Sequence, residues 1–425
     1  MASKVPNLVV ANTATPSMLE QICLAKQCEI EHWFRTKWHT HTPPFYGSVD
    51  LRNSGFKITN VDMNLFPGGF NNLNEQFIPL AVQAANSLFD KICSDIQRVL
   101  IIPENHTKNI AYLNNVYTLK HILQQAGMMV EIGSLSETIT EPTVVDLHHG
   151  KSMTYYPIVR EQDSIVTSHG FKPCLILLNN DLSAGLPAIL TNLTQTVVPP
   201  LNAGWYMRKK TNYFAEYSTV AKEFATLLGV DPWFLDAYFD IATGLDFANH
   251  VGLEELAVKV DRLLDKIRAK YAEHNILDEP YVIVKANNGT YGMGIMVVKS
   301  GAEILAINRK SRNKMAVIKD NQHVTDVIIQ EGVYTCESIE GAAAEPVVYM
   351  MHNSVVGSFY RVHPDKGRDG NLNSVGAKFV PLTLIGDCLP CTDVKTNAPN
   401  RFYVYGVLAR LALLASSLEL SQYTS

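Results

Sequence analysis

Hydrophobic and polar residues along the chain recur with two different periods, one typical of helices and one typical of strands. Apolar residues spaced three and four positions apart predict amphipathic helices, and the last of these is apolar on most of its circumference. The predicted helices cover residues 16–38, 77–95, 108–126, 212–229, 252–273 and 401–420. Short apolar runs at 99–102, 129–132 and 175–178 predict buried strands. Strands that alternate with helices predict a parallel sheet with crossover connections over residues 75–200.

Two further regions have a sequence pattern typical of paired strands. Residues 45–74 alternate between short apolar runs and Gly or Asn, which predicts two strands and a loop. Residues 281–362 contain successive strand-like segments, YVIVK, GIMVV, DVIIQEGV, EPVVYMM and SVVGSFYRV. Three prolines in a polar setting within 183–204 indicate a boundary between these regions.

Composition narrows the class of protein. The chain has 425 residues, 47% hydrophobic and 18% charged, which predicts an ordered α/β protein of two or three domains. A net charge of -5, spread without long runs, argues against general binding of nucleic acid or anionic lipid. The sequence has neither an apolar leader at its start nor a run of 18 apolar residues. We therefore predict a cytoplasmic protein without a membrane partner.

The seven cysteines fit a reducing compartment, because their number is odd and most lie within apolar stretches. Cys388 and Cys391 form a C-x-x-C pair. Without a second pair or a flanking His, zinc or redox use is the weaker interpretation and a loop coincidence the stronger.

The sharpest chemical signal is a strand that ends in Lys285, followed by a glycine-rich turn and a second strand. Backbone N–H groups of such a turn can cover phosphates while the lysine neutralises their charge. A glycine-rich hairpin with a surface lysine is the alternative. The residues proposed for phosphate binding are Lys285, Gly289, Thr290, Tyr291, Gly292 and Gly294.

Two later segments carry further candidates. An apolar strand interrupted by the polar segment Gln330, Glu331, Gly332 and Val333 could present backbone groups to an adenine edge, or could be a simple strand end. Arg361 ends the next strand pair within an apolar setting, which favours a role as a cationic donor to a carboxylate or phosphoryl group.

Carboxylates and an amide with metal-ligand spacing occur near the start of the chain. Asp50 lies on one predicted strand, and Asp62 and Asn64 lie on the returning strand. Residues two apart on a strand point to the same face, as two ligands of one metal must. Hard oxygen ligands of this kind suit Mg²⁺. An ordinary hairpin, in which these side chains serve the turns, is the alternative.

These blocks, in this order, resemble the ATP-grasp superfamily of carboxylate-amine ligases. The resemblance implies an ATP-grasp fold after a Rossmann-like α/β domain, with Lys209 or Lys210 as the second lysine that contacts nucleotide. The metal-binding strand pair of the superfamily normally follows the substrate loop, whereas here the matching pattern is at the N-terminus. We therefore expect a circular permutation. The predicted organisation is a helical segment at 1–44, the metal-binding strand pair at 45–74, a preceding α/β domain at 75–200, a helical part at 201–280, and the nucleotide and substrate region with its C-terminal helix at 281–425.

Over the whole chain the sequence resembles the bacterial glutamate-cysteine ligases of ATP-grasp type. The motifs that carry the resemblance are DMNLFPGGFNN, GWYMRKKTNYF, KANNGTYGMGI, QEGV, FYRVH with NLNSVG, and NRFYVYGVLARLALL. The resemblance implies ATP- and Mg²⁺-dependent joining of glutamate to cysteine, the first step of glutathione synthesis, through an acyl phosphate. It leaves a homo-oligomer open.

The same resemblance implies roles for individual residues. Lys285 and Arg361 are the expected catalytic cations, and Asp50, Asp62 and Asn64 the expected Mg²⁺ ligands. It also implies that Arg361 and the loop with Asn371 and Asn373 bind substrate. Apart from the resemblance, Arg52 lies between the metal-ligand candidates and could orient the glutamate α-carboxylate, and Asn71 or Asn72 after the Pro-Gly turn could contact its amine.

Two alternative functions stay open. Another amino-acid or peptide ligase, such as a glutathione-synthase-like enzyme, would share every ATP-site residue, and a non-catalytic nucleotide-binding protein would keep the glycines without the metal ligands. A dehydrogenase is disfavoured, because no G-x-G-x-x-G follows the first strands of the 75–200 region.

Overall fold

A computed structural model describes residues 18–92, 96–105, 108–148, 150–289, 294–317, 323–382 and 401–423. The helices are α1 (Met18–Ala25), α2 (Gln27–Thr40), α3 (Ile78–Ile92), α4 (Ile110–Gln125), α5 (Lys210–Leu228), α6 (Leu253–Glu273), α7 (Gly301–Leu305), α8 (Arg309–Ala316) and α9 (Arg401–Ser421). The first predicted helix is in fact two helices that meet at Lys26. The pair Cys388 and Cys391 lies outside the described residues.

The strands form three sheets. The strands of the described residues are β1 (Tyr46–Asn53), β2 (Ile58–Asn64), β3 (Arg98–Pro103), β4 (Met129–Ser134), β5 (Thr143–Asp146), β6 (Ser152–Glu161), β7 (Ser164–Thr167), β8 (Leu175–Asn179), β9 (Thr196–Val198), β10 (Phe239–Ala242), β11 (Val282–Ala286), β12 (Ile295–Val298), β13 (Val327–Glu331), β14 (Ser338–Ile339), β15 (Ala342–Met351), β16 (Ser354–His363) and β17 (Lys378–Pro381).

The parallel sheet has the strand order β5-β6-β4-β3-β8-β9, with β7 paired to β6. Strand β3 pairs in parallel with both β4 and β8, as the alternation of helices and strands predicts. The chain runs from β3 through α4 to β4 on one side, and β8 joins on the other. The strand order therefore reverses between β3 and β8, and in open α/β sheets such a point leaves a crevice at the carboxyl ends of the strands.

The other two sheets are antiparallel. The central sheet has the order β17-β16-β15-β1-β2, with β14 on β15, and the flap sheet has the order β10-β13-β11-β12. The N-terminal hairpin β1–β2 therefore lies in the same sheet as strands almost 300 positions later, because β1 pairs with β15 from Tyr46 opposite Met351 to Asp50 opposite Val347. The circular permutation itself stays a prediction, since strand pairing describes the fold and not its origin.

Helix α9 forms the core behind the central sheet. It packs against α5 and against β1, β2, β15 and β16. Its apolar segment Phe402–Ser421 has the length and composition of a membrane span, but 83% of that window is buried inside the protein. The even distribution of apolar residues around this helix thus reflects contact on most sides, as the sequence predicts.

Two apolar layers fix the remaining elements. The opposite face of the central sheet packs on α3, with Tyr349 and Phe359 in the same cluster as Leu88. In the flap sheet, α6 buries Leu256 and Val260 against β11 and β13. The charged ends of the central and flap sheets then face each other.

Candidate functional site

One face of the central sheet changes from apolar to charged along its strands. Tyr349 and Phe359 pack on α3, and alternate residues further along the same strands are Glu345 and Arg361, which lie opposite each other in the β15–β16 pairing. Side chains two apart on a strand share a face. Asp50 on β1 belongs to this face too. The charged half is left free of helix packing and faces the flap sheet.

A first cavity lies between the central sheet and the flap sheet. Its lining brings together most of the residues that the sequence predicts for the site, which are Asp50, Arg52, Asp62, Lys210, Lys285, Gly289, Gln330, Val333, Arg361, Asn371 and Asn373. The lining also includes Glu345, which the sequence reasoning missed. Four cationic side chains, Arg52, Lys210, Lys285 and Arg361, face three carboxylates there.

Arg361 joins two carboxylates in the wall of this cavity. Its Nη1 donates to Asp50 Oδ2 at 2.7 Å and to Glu345 Oε1 at 2.7 Å. Burial raises the pKa of the Asp50 carboxyl, although Arg361 opposes this effect. Burial also acts to raise the pKa of Glu345, but Arg52 and Arg361 outweigh it and lower that pKa. Arg361 is therefore fixed in a position where its cation lies beside any anion in the cavity.

Two lysines converge on Asp62. Lys210 Nζ donates to Asp62 Oδ1 at 2.6 Å, and Lys285 Nζ donates to the Val61 carbonyl at 2.8 Å. Burial acts to raise the pKa of Asp62, but the two ammonium groups outweigh it and lower that pKa. Burial lowers the pKa of Lys285 to about 8, with Lys210 adding to the effect. The cluster thus holds a carboxylate between two cations at the cavity wall.

Arg52 lines the cavity, but its guanidinium is engaged with the protein. Its Nε donates to Glu345 Oε2 at 2.5 Å, and its two terminal nitrogens donate to the carbonyls of Arg368 at 3.1 Å and Gly370 at 2.7 Å. The structure therefore ties β1 to the loop that carries Asn371 and Asn373.

Lys209, Gly332, Gly294 and Glu331, four of the predicted nucleotide-binding residues, lie outside the lining of this cavity. Lys209 pairs with Asp326 at 3.5 Å and is partly exposed. Gly332 packs so closely on Tyr281 that a Cβ at this position would lie 2.1 Å from the ring. Thr290, Tyr291 and Gly292 lie outside the described residues.

The Glu331 side chain points to the opposite side of β13, where it forms a buried ion pair. Its Oε2 lies 2.9 Å from Lys57 Nζ, and both side chains are only 1% exposed. Trp233 Nε1 and the Tyr238 backbone N–H also donate to this carboxylate, at 3.1 and 2.9 Å. Gln330, the preceding residue, faces the first cavity instead, and its buried amide nitrogen has no hydrogen-bond partner among the described residues. The pair Lys57–Glu331 therefore connects the β1–β2 turn to the strand that lines the cavity.

A second cavity opens at the carboxyl ends of β3 and β8, where the strand order reverses. It shares Asp50, Asp62, Arg361 and Asn373 with the first cavity, and we call these four residues the common wall. Asn64, Asn71 and Asn72 line the second cavity and not the first. Sequence reasoning missed its other polar lining residues, Glu104, Asn109, Asn179, Asp181 and Trp205.

The loop after β2 is held rigidly at the edge of this cavity. Asn115 Oδ1 accepts from the backbone N–H groups of Gly69 and Phe70 at 2.8 and 2.9 Å, and Tyr349 donates to the Gly68 carbonyl at 2.9 Å. Gly69 has φ +131°, and a Cβ there would lie 2.5 Å from the Tyr349 hydroxyl. The Pro-Gly-Gly segment of the sequence is explained by this close approach.

The common wall has the ligand chemistry of a divalent cation site. Asp50 and Asp62 lie directly opposite each other in the β1–β2 pairing, and both offer hard oxygen atoms to both cavities. Asn64 is partly committed to its own turn, since its Oδ1 accepts from Phe66 N at 2.9 Å. The donor set therefore fits Mg²⁺ through the two carboxylates, with the amide oxygen of Asn64 next to them.

Two antiparallel sheets close on a cleft of lysines, arginines and paired carboxylates, beside a parallel α/β unit. The comparisons with known proteins give the family. The chain belongs to the glutamate-cysteine ligase family, whose model matches residues 20–420.

One solved structure agrees with this assignment. The chain is 51% identical, with a TM-score of 0.89 and 99% of each chain covered, to a "Putative gamma-glutamylcysteine synthetase" from Methylobacillus flagellatus KT. D-alanyl-alanine synthetase A from Vibrio cholerae O1 is 9% identical, with a TM-score of 0.36 over 75% of this chain and 82% of that chain. A glutathione synthetase-like effector from Globodera pallida is 9% identical, with a TM-score of 0.34 over 81% and 77%. The last two likenesses have no bearing on function. No match is found among the curated proteins.

Proposed function

We propose that the chain uses ATP to join the γ-carboxylate of glutamate to the amino group of cysteine, with gamma-glutamylcysteine, ADP and phosphate as products. The observation that carries this proposal is the common wall of Asp50, Asp62, Arg361 and Asn373. A nucleotide in one cavity and an amino acid in the other would meet at that wall. Arg361 in this wall, together with Lys210 and Lys285 in the lining of the first cavity, supplies the positive charge that a reaction between two anions needs.

The first cavity is the proposed nucleotide site. Its cations outnumber its carboxylates by four to three, which suits a polyphosphate. Lys210 and Lys285 are placed to neutralise phosphate oxygens, and the unpaired amide of Gln330 can donate to an acceptor on the base. Val333 and Gly289 complete the described part of the proposed site.

The reaction has two steps. An oxygen of the glutamate γ-carboxylate bonds to the γ-phosphorus of ATP, and the bond to the bridging oxygen breaks as ADP leaves. The cysteine nitrogen then bonds to the γ-carbonyl carbon, and phosphate leaves with one oxygen that came from glutamate. The amine loses its proton as the amide forms. Arg361 lies beside both reacting anions and stabilises their charge.

Mg²⁺ would be held by Asp50, Asp62 and Asn64, where it would neutralise phosphate charge in the way that divalent cations do in phosphoryl transfer. In the structure, Lys210 donates to Asp62 and Arg361 donates to Asp50.

Further roles complete the proposal. Asn71, Asn72, Asn371 and Asn373 offer amides to the amino-acid substrates. Arg52 acts by positioning the substrate loop, since its donors hold the carbonyls of Arg368 and Gly370. The proposed location is the cytoplasm.

Phosphate release measured across pairs of amino acids tests the proposal. Release that requires ATP, Mg²⁺, glutamate and cysteine together, with gamma-glutamylcysteine found by mass spectrometry, is the expected result. Turnover only with another pair would indicate a different ligase, and nucleotide binding without release would indicate a non-catalytic protein.

A further inference from the structure

Three residues from three separate segments are linked by hydrogen bonds at the second cavity and are not part of the common wall. Glu104 follows β3, Asp181 follows β8, and Trp205 precedes α5. Glu104 Oε1 accepts from the Asp181 backbone N–H at 2.9 Å, and the Trp205 backbone N–H donates to the Asp181 carbonyl at 2.9 Å. The three residues are 8%, 3% and 2% exposed. They line the second cavity and not the first.

Trp205 lacks a partner that its burial demands. Its indole Nε1 is buried and has no hydrogen-bond partner within the described part of the chain. A buried donor without an acceptor costs about 1–3 kcal/mol. The ring lies against two cations, since the Arg208 guanidinium carbon is 5.0 Å and Lys210 Nζ is 4.7 Å from its centroid. An indole N–H in this setting favours a negatively charged acceptor.

The charge of the second cavity differs from that of the first. Its described lining contains four carboxylates, Asp50, Asp62, Glu104 and Asp181, against the single guanidinium of Arg361. Asp50 and Asp62 belong to the common wall, whereas Glu104 and Asp181 line the second cavity outside it. Beside the Trp205 N–H, they form a site for a group that carries an ammonium and a carboxylate on neighbouring atoms.

The chemistry of the two substrates decides which amino acid this site holds. Cysteine reacts through its amino group, so that nitrogen must reach the common wall unprotonated. Glutamate reacts through its γ-carboxylate, and its α-ammonium and α-carboxylate are left at the other end of the molecule. We infer that Glu104 and Asp181 bind the α-ammonium of glutamate and that the Trp205 N–H binds its α-carboxylate. This inference rests on the proposed function.

Two glutamate analogues test each half of the inference. Glutarate lacks the α-ammonium and 4-aminobutanoate lacks the α-carboxylate, while both keep the reacting carboxylate. Phosphate release with cysteine would give kcat/KM for glutamate and each analogue in the wild type, Glu104→Gln, Asp181→Asn and Trp205→Phe. Glu137→Gln, an exposed carboxylate on the same side of the chain's α/β region, is the control.

The wild type should prefer glutamate over both analogues. In Glu104→Gln and Asp181→Asn the preference over glutarate should fall at least about tenfold, and in Trp205→Phe the preference over 4-aminobutanoate should fall by a similar factor. The KM for ATP should not change. A rise in the KM for cysteine with the glutamate preference intact would overturn the inference, as would a wild type that uses glutarate as well as glutamate. The comparison of glutamate with its two analogues in the wild type does not depend on the folding of any variant. A wild type inactive with glutamate and cysteine would instead refute the proposed function.

Discussion

Asp50 lies directly opposite Asp62 across the β1–β2 pair, and each carboxylate is held by a different cation, Arg361 for Asp50 and Lys210 for Asp62. Two carboxylates are held this close because each has its own compensating charge. The arrangement places both groups where the two cavities meet. It links the N-terminal hairpin directly to strand β16 and helix α5.

Replacement of Asp62 by Asn should lower kcat by roughly 100-fold or more, because the proposed metal loses a charged ligand. Phosphate release at increasing Mg²⁺ concentration measures this effect. Asp265→Asn, at an exposed position on α6, is the control and should keep full activity. Equal activity of the two variants, with both folded by circular dichroism, would remove Asp62 from the site.

Replacement of Lys285 by Met should raise the KM for ATP at least about tenfold, since a hydrogen bond to a charged group contributes ~1.5–3 kcal/mol. The matched variant Lys209→Met should leave the KM nearly unchanged, because Lys209 lies outside the cavity and pairs with Asp326. Initial rates at varied ATP concentration decide between them. The reverse order of effects would assign the nucleotide contact to Lys209.

Much of this fold could be predicted from the sequence, because local periodicity determines it. The strand pair predicted at 45–74 is present as β1 and β2. In the helix predicted at 252–273, the apolar residues spaced three and four positions apart are buried on one face of α6, namely Leu253, Leu256, Val260, Leu263, Leu264 and Ile267. The choice between Lys209 and Lys210 could not be made, since adjacent side chains point in different directions and the start of α5 decides which one enters the cavity. The sequence also could not show that Glu331 faces away from the cavity, because the strands paired with β13 determine which of its two sides faces the cavity.

Residues that distant segments bring together left almost no local signal in the sequence. Glu345 is the one carboxylate of an otherwise apolar strand, which is the only hint that it belongs to the site. Glu104, Asp181 and Trp205 converge at the edge of the parallel sheet only because the strand order reverses there. Strand order depends on long-range pairing that no local pattern specifies.

Removal of the Lys57 charge should destabilise the protein strongly. Lys57→Met leaves Glu331 buried without its partner and should lower the free energy of unfolding by about 3–5 kcal/mol. The double variant Lys57→Met with Glu331→Gln should regain most of this loss, because Gln keeps an acceptor for Trp233 without a charge. Urea unfolding of the single and double variants measures the coupling. Additive losses would show that the two side chains do not depend on each other.

Stability should depend on pH through Asp236. Burial raises the pKa of this carboxyl from 3.8 to about 6. A folded-state pKa above the unfolded value stabilises the protein below about pH 4, and this stabilisation is lost as the pH rises through 6. The shift corresponds to roughly 3 kcal/mol at ~1.4 kcal/mol per unit. Asp236→Asn should remove this decline, so that urea unfolding between pH 4 and 7 gives a flatter profile than the wild type. If the free energies of unfolding of the wild type and Asp236→Asn fell in parallel with pH, Asp236 would not be the cause of the decline.

Isotope transfer shows whether a phosphate donor and the glutamate γ-carboxylate react with each other at the common wall. Glutamate labelled with ¹⁸O in its γ-carboxylate is converted with ATP and cysteine, and the released phosphate is analysed by mass spectrometry. We expect one ¹⁸O atom in each phosphate released by the wild type, and neither phosphate release nor transfer of the label in Asp62→Asn. Phosphate that is released without label, while gamma-glutamylcysteine is formed, would contradict it.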